Sequence, residues 1–291
     1  MANIKKLLTR RWVVQSLSAI LINPYYKGFV DGTIYRGRLK NACVPVLNCY
    51  SCPGAVGSCP VGALQAVAVS FSYSFSFYVA GFLGLVGITT GRLACGWVCP
   101  FGFLQDLLYR VPTPKFTLPR WMRGIKYFIL VFAVLLLPAL IADSFGAGVP
   151  YFCKWLCPAG TLEAAVPLYI IFPPVRTGAG LLFFWRMAWL FMILVFIILI
   201  RRGFCQALCP LGAIYSFFNG LSFYTLEVDP SRCKSCHACQ SLCFAGIDVK
   251  NRPNHPECIR CLECIKKCPG GAISWNLAIK NVSRSPGGAR L

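Results

Sequence analysis

Cysteines at regular spacing are the residues of this chain that could do chemistry. There are 18 of them in 291 residues, and eight form two consecutive runs of the pattern C-x2-C-x2-C-x3-C. Cysteine thiolates at this spacing are typical ligands of [4Fe–4S] clusters. The two runs are Cys233, Cys236, Cys239 and Cys243, then Cys258, Cys261, Cys264 and Cys268. The spacing therefore predicts two iron–sulfur clusters near the C-terminus.

The doubled run is the ligand pattern of two-cluster bacterial ferredoxins, in which the fourth cysteine of each run serves the other cluster. Pro269 follows Cys268 as this pattern requires, whereas Phe244 follows Cys243, so we expect an altered loop there. The segment Cys233–His237 also matches the haem-attachment pattern C-x-x-C-H, but a complete ferredoxin run surrounds it. We assign the first cluster to Cys233, Cys236, Cys239 and Cys268, and the second to Cys258, Cys261, Cys264 and Cys243.

The other ten cysteines lie among apolar stretches, where four segments repeat the pattern Cys-Pro-x-Gly. Proline suits the first position of a helix, and a helix N-terminus offers free N–H groups to an anionic cluster. In three of the segments another cysteine lies four residues earlier, so we expect one helical turn to bring both thiols to one face. The segments begin at Cys59, Cys99, Cys157 and Cys209, and the earlier cysteines are Cys95, Cys153 and Cys205.

Two such pairs supply the four thiolates of a third cluster, which we assign to Cys95, Cys99, Cys205 and Cys209. Four of the remaining cysteines would hold a fourth cluster, and the spacing does not choose among Cys49, Cys52, Cys59, Cys153 and Cys157. Cys43 is the expected spare. Structural zinc remains an alternative for this last group. Disulfides and ordinary buried cysteines are less favoured, because the spacings are tight, repeated and followed by proline.

The composition predicts a membrane protein. The chain is 57% apolar and 13% charged, with a mean hydropathy of +0.62, and a bilayer span needs about 20 apolar residues. Candidate spans are Trp12–Ile22, Ala63–Thr90, Ile125–Ile141 and Leu181–Ile200. The predicted fold class is an α-helical polytopic membrane protein of about four spans with a small α+β two-cluster ferredoxin domain. We expect a transmembrane domain over 1–226, the ferredoxin domain over 227–278 and a disordered tail over 279–291.

Charge predicts the orientation in the cytoplasmic membrane. Basic residues follow the N-terminus, the second span and the last span, which places these segments and both termini in the cytoplasm. The third cluster then lies on the cytoplasmic side and the fourth on the outer side. The net charge of +20 is scattered along the chain rather than concentrated in a stripe, so we do not expect nucleic-acid binding.

The segment Gly91–Pro100, the later pair Cys205 and Cys209, and the following ferredoxin run resemble the NapH/NosR-type membrane polyferredoxins over roughly residues 80–275. The resemblance implies electron transfer between a quinol pool or cytoplasmic donor and a respiratory reductase or its maturation machinery. The segment Cys43–Cys59 and the pair Cys153/Cys157 are departures from that pattern.

We therefore expect an electron-transfer subunit without catalytic residues of its own, working with other subunits of a redox complex. A soluble acidic ferredoxin or flavodoxin would reduce it, and electrons would cross the membrane to an extracytoplasmic acceptor. A flavin-carrying acceptor is implied by the resemblance alone. Two alternatives stay open: a quinol-linked subunit that works on one membrane face, and a redox maturation or sensing factor.

Overall fold

A computed structural model describes residues 2–69, 77–141, 149–178 and 180–277. The chain is mainly helical up to Phe218, and a small α+β unit follows. The α-helices are Ala2–Ile22, Lys27–Asp31, Pro60–Val69, Phe77–Thr90, Leu93–Trp97, Pro100–Leu108, Ile125–Ile129, Leu137–Leu140, Pro158–Gly160, Val166–Ile171, Pro173–Thr177, Leu181–Leu199, Gly203–Ala207, Pro210–Phe218, Ala238–Ser241 and Glu263–Lys267. The 3-10 helices are Arg38–Asn41 and Trp121–Gly124, and the π-helices are Leu130–Leu136, Phe152–Leu156 and Thr161–Ala165.

Two helices of the described chain are long and apolar enough to cross a membrane. They are Trp121–Leu140 and Leu181–Leu199, with mean hydropathies of 1.9 and 2.4, and they coincide with the third and fourth predicted spans. The first predicted span lies within the helix Ala2–Ile22. The second is helical over Pro60–Val69 and Phe77–Thr90, and residues 70–76 between them lie outside the described chain. The total of four spans stays a prediction.

The Cys-Pro segments break the helices instead of continuing them. Cys99, Cys157 and Cys209 each cap the start of a helix with an extended backbone, and the following proline occupies the first turn. This confirms the predicted helix starts. The expectation that one helical turn joins both thiols of a pair is wrong, since Cys95 lies in the preceding helix Leu93–Trp97. Proline disfavours helical backbone in the residue before it, which ends each helix ahead of the second cysteine.

Each part of the chain has its own core. The helical part buries one apolar cluster that includes five cysteines: Cys59, Cys95, Cys99, Cys157 and Cys209. The C-terminal unit packs Ala245, Ile247, Val249 and Ile273 against cysteines of both runs. Its two antiparallel strands, Tyr224–Val228 and Ile273–Leu277, pair Leu226 with Trp275 and so bring the start and the end of this unit together. Tyr, Thr, Val and Ile favour such strands.

Candidate metal centres

The eight cysteines of the C-terminal unit line two cavities. Cys233, Cys236, Cys239 and Cys268 line the first, which we call the exposed set. Cys243, Cys258, Cys261 and Cys264 line the second, which we call the docked set, and Cys239 also borders it. The structure thus brings together the two groups that the ferredoxin spacing predicts, including the exchanged fourth cysteines.

The loops around these cavities share an unusual backbone. In both runs the residues directly before and after the second cysteine have positive φ: Ser235 and His237 at 50° and 54°, and Arg260 and Leu262 at 52° and 62°. Such conformations cost about 1 kcal/mol or more for residues other than glycine and tend to occur at functional sites. The same strain at equivalent positions indicates loops shaped to wrap a bound group.

The altered loop after Cys243 is accommodated by a contact with the helical part. The ring of Phe244 lies under the guanidinium of Arg201, with its centroid 5.0 Å from the guanidinium carbon, and Cys243 still lines the docked cavity.

The segment that matches the haem-attachment pattern lies at the exposed set. Cys236 and His237 are exposed, and Nδ1 of His237 lies 3.3 Å from Oε1 of Gln240.

Four buried cysteines of the helical part form what we call the near set: Cys95, Cys99, Cys205 and Cys209. They lie close enough for their charges to interact with one another. The Sγ atoms of Cys99 and Cys209 each accept a hydrogen bond at 3.4 Å from the N–H of the glycine three residues later. Nε2 of Gln105 lies 3.0 Å from Sγ of Cys205. Two helix N-termini and one side-chain amide thus provide hydrogen-bond donors to sulfurs of the near set.

Two fully buried arginines link the two cysteine pairs of the near set, each donating to a carbonyl of the other pair. Arg92 donates to the carbonyl of Cys205 at 3.2 Å, and Arg202 donates to the carbonyl of Cys95 at 2.7 Å. Each lies three residues before the first cysteine of its own pair. Both belong to the basic residues that predict orientation, and their repeated position is the signal in the sequence for this second role. Their charge counters that of thiolates and of an anionic cluster in the interior.

The cysteines predicted for the fourth cluster do not all lie together in the structure. Cys49, Cys59, Cys153 and Cys157, which we call the far set, line one cavity of about 570 Å³. A Cβ added at Gly160, in the helix that Cys157 caps, would lie 3.6 Å from Sγ of Cys49. Cys52 is buried outside the cavity lining. The N–H of Cys43 lies 3.3 Å from the hydroxyl of Tyr78.

Side chains near the far set repeat features of the near set. Nε2 of Gln65 lies 3.0 Å from Sγ of Cys153, as Gln105 does from Cys205. The N–H of Gly160 donates to Sγ of Cys157 at 3.4 Å. Oε2 of Glu163 accepts a hydrogen bond at 2.8 Å from the N–H of Cys49, a contact that the sequence did not predict.

The residues of all four sets fit [4Fe–4S] clusters. Each set offers four thiols, the usual donor set, and all 18 cysteines are free of disulfides. Asn48 is fully buried and lines the far cavity, yet neither polar atom of its side chain has a partner in the described chain. Such an orphaned amide indicates a bound group in that cavity. Within the described residues, no three or more His, Cys, Asp or Glu side chains are arranged to hold a single metal ion.

Burial keeps the thiols of Cys258 and Cys264 protonated until they bind iron. It raises the pKa of Cys258 to about 11 and that of Cys264 to about 12. Because the thiolate is the iron ligand, these residues bind metal only by releasing protons.

The docked loop sits directly on the near set. Nε1 of Trp97, which lies between Cys95 and Cys99, donates at 3.1 Å to the carbonyl of Arg260, which lies between Cys258 and Cys261. The amide of Asn219 donates to the carbonyls of His255 and Cys258, both at 2.8 Å.

Buried ion pairs hold this interface. Glu257 pairs with Arg92 at 2.8 Å and also with Lys126, while Glu263 pairs with Arg201 at 2.6 Å and Arg11 at 3.3 Å. Burial alone would raise the pKa of Glu257, but the two cations facing it hold that pKa below its usual value. Removing one partner of such a buried pair typically costs about 3–5 kcal/mol, because it leaves the other charge unpaired in the interior.

Comparison with known proteins identifies the family. A family model described as a 4Fe-4S binding domain matches residues 71–119, 127–166 and 181–223. Two uncharacterized proteins of Methanocaldococcus jannaschii are each 30% identical, over 200 and 198 residues, which is 69% and 66% of this chain and 70% and 75% of theirs. The ferredoxin-type protein NapH of Haemophilus influenzae is 26% identical over 61% of this chain and 59% of its own.

The chain belongs to the NapH/NosR-type polyferredoxin family. It is therefore an iron–sulfur protein of electron transport, and proteins named NirI, NosR and MauN also match it. These matches cover only 26% of NirI and 27% of NosR from Stutzerimonas stutzeri. The middle stretch matched by the family model includes Cys153 and Cys157. No solved structure matches the chain.

Proposed function

We propose that this polyferredoxin is a transmembrane electron relay of four [4Fe–4S] clusters, in the order exposed set, docked set, near set and far set. A cluster bound in each set would take up and release one electron at a time. The observation that carries the proposal is the hydrogen bond from Trp97 to the carbonyl of Arg260. It joins the loop between two docked cysteines to the loop between two near cysteines, which supports a path from the ferredoxin unit into the helical part.

The exposed set provides the entry. Cys236 is the one exposed residue among the 18 cysteines, and Arg232, Lys234 and Lys250 are exposed around it. Such a basic face attracts an acidic partner and speeds its encounter. A soluble acidic ferredoxin or flavodoxin on the cytoplasmic side is the donor that this surface suits.

The far set provides the exit. Its cavity is open to the surface, and Lys154 and Arg186 line it beside the cysteines. Arg186 lies within the apolar helix Leu181–Leu199, and a charged residue in such a helix is usually functional. An extracytoplasmic acceptor, flavin-carrying by analogy with the family, would take electrons here within a larger redox complex.

This function implies an arrangement in the cytoplasmic membrane. The helical part, about residues 1–226, would span it four times with both termini in the cytoplasm. The two-cluster ferredoxin domain, about 227–278, would lie on the cytoplasmic face, followed by the tail over 279–291. The near set would then lie on the cytoplasmic side and the far set on the outer side.

The size of the far cavity favours a second candidate function. A volume of about 570 Å³ falls within the range of about 300–1,000 Å³ that small molecules occupy in proteins. A quinol bound beside the far set would make the protein a quinol-linked subunit that works on one membrane face.

Iron and acid-labile sulfide per chain test the four-cluster assignment, on protein purified without oxygen. We expect roughly 16 of each for the native protein. Cys49→Ala removes a far ligand and should lower both to roughly 12, whereas the matched change Cys52→Ala should leave them unchanged. Roughly 8 in the native protein would show that only the ferredoxin unit binds clusters. An equal loss in both variants would contradict the far-set assignment.

A further inference from the structure

The far cavity has room for more than a cluster. Its volume is about 570 Å³, whereas the cavities of the exposed and docked sets each measure about 30 Å³. Each of the two smaller cavities is lined by the four cysteines of one assigned cluster. The far cavity is therefore large enough for a second occupant beside its own cluster, and small molecules occupy protein cavities of about 300–1,000 Å³.

Two cations line this cavity without a carboxylate beside them. They are Lys154 and Arg186, and both side chains are half-buried. Among the described residues, no Asp or Glu lines the cavity, and neither cation is part of an ion pair. Glu163 accepts from the N–H of Cys49 but is not a lining residue. Because partly buried charge is stabilised by an opposite charge, the cavity suits an anionic ligand.

Arg186 is held directly beside a ligand of the far set. Its Nε donates at 2.7 Å to the carbonyl of Lys154, the residue that follows Cys153. Nε1 of Trp189, from the same apolar helix, donates at 2.8 Å to the carbonyl of Leu156. Since Arg186 uses Nε for this contact, its terminal nitrogens Nη1 and Nη2 have no hydrogen-bond partner within the described residues. This fork matches the oxygens of a carboxylate or a phosphate.

Much of the remaining wall is apolar. Leu168, Val175, Leu182 and Phe183 line the cavity away from the chain positions of the cysteines. Apolar walls with a small number of polar groups are typical of sites for organic ligands, whereas an inorganic ion needs no such walls. The cavity therefore combines an apolar surface for the body of a ligand with two cations for its charged group.

We propose that the far cavity binds a small organic anion that accepts electrons from the far cluster, and that Lys154 and Arg186 hold its carboxylate, phosphate or sulfonate group. The inference rests on the relay proposed above and names the chemical class of its acceptor. One electron passes from the reduced far cluster to the ligand, and no bond forms or breaks in that step. A neutral quinol in the same cavity would leave both cations without an opposite charge.

Equilibrium binding of a probe anion tests the site. Oxidised protein of verified iron content, in nanodiscs of phosphatidylcholine, is titrated with anthraquinone-2-sulfonate and with its neutral counterpart 2-(hydroxymethyl)anthraquinone. Arg186→Gln removes the fork but also the contact with the carbonyl of Lys154, so Lys154→Gln is the second variant, in which no hydrogen bond of the described chain is lost. The matched control is Arg176→Gln, which removes the same charge from an exposed side chain outside the cavity lining.

The native protein should bind the sulfonate and prefer it over the neutral probe. Arg186→Gln and Lys154→Gln should each weaken binding of the sulfonate roughly tenfold or more, the usual effect of losing a hydrogen bond to a charged group. Arg176→Gln should leave it unchanged. Equal binding of both probes, or an equal loss in Arg176→Gln, would overturn the inference. Displacement of the probe by phosphatidylglycerol in the nanodisc would also overturn it, because the site would then hold a lipid headgroup.

Reduction of the bound probe tests the electron step. When the protein is reduced through its exposed set, the bound sulfonate should be reduced after the far set. A bound probe that stays oxidised beside a reduced far set would contradict its role as acceptor. Binding to oxidised protein requires no electron transfer between the sets. If the sulfonate binds as expected but electrons never reach the far set, the relay is wrong while the anion site stands.

Discussion

Two glutamine amides donate to cysteine sulfurs in different sets. Gln105 reaches Cys205 and Gln65 reaches Cys153, each at 3.0 Å. Each glutamine lies six residues after the cysteine of its own Cys-Pro segment and contacts the first cysteine of a C-x3-C pair far along the chain. A hydrogen bond to a ligand sulfur stabilises the more negative, reduced cluster and so raises its potential. The repeat therefore supplies one such donor to the near set and one to the far set.

Replacing either glutamine should shift the potential of one set only. A neutral hydrogen bond is worth about 0.5–1.5 kcal/mol, and only the part that differs between the two redox states shifts the potential. Gln105→Leu should therefore lower the midpoint potential of the near set by up to roughly 65 mV. Gln65→Leu should do the same for the far set, and each variant serves as the control of the other. Redox titration followed by EPR measures both. If either variant shifts the potentials of both the near set and the far set, the assignment of Cys205 and Cys153 to separate clusters is wrong.

At the scale of elements, the loop between Cys258 and Cys261, which we call the docked loop, packs on the short helix Leu93–Trp97. The carbonyl of Gly96 accepts hydrogen bonds from Arg11 and Gln15, both at 3.1 Å, and from Arg202 at 3.3 Å. A Cβ added at Gly96 would lie 2.4 Å from the carbonyl oxygen of Ile259. The docked loop thus approaches so closely that no side chain fits between it and the near set.

A methyl group at this position should push the two units apart. Gly96→Ala is expected to cost about 1–3 kcal/mol, the usual penalty of overpacking, and to slow electron transfer from the docked to the near set. Gly81→Ala, in the helix Phe77–Thr90, is the matched control, since a Cβ there meets nothing within 4 Å. Thermal unfolding and stopped-flow reduction measure the two effects. If Gly96→Ala behaves like Gly81→Ala in both, the docking described above is contradicted.

The sequence predicts those features of the fold and the site that depend on residues close together in the chain. The ferredoxin groups follow from cysteines three or four residues apart, and the starts of the Cys-Pro helices follow from a proline beside each cysteine. The choice of Cys49 rather than Cys52 depends on contact with the segment around Gly160, more than 100 residues away. The crossed arginines likewise depend on packing between distant helices, which spacing alone does not encode.

At the scale of the whole molecule, buried cations lie where the proposed path enters the helical part. Arg92, Lys126 and Arg202 are all fully buried, and all three act on the charge of Cys95 in the near set. Their carboxylate partners are Glu257 and Asp106. Cations close to an anionic cluster ease its reduction, and net charge is one of the factors that set such potentials. In the relay proposed above, these cations would favour entry of an electron into the near set from the ferredoxin unit.

Electron transfer across a sealed membrane tests the central claim most directly. Proteoliposomes would contain ferricyanide, with reduced acidic ferredoxin added outside to protein whose C-terminal unit faces outward. The relay predicts that the enclosed ferricyanide is reduced by the native protein and by Cys52→Ala. It should stay oxidised with Cys49→Ala, although the clusters of the ferredoxin unit are still reduced. If the native protein's own clusters are reduced while the enclosed ferricyanide stays oxidised, the path does not cross the membrane and the account is contradicted.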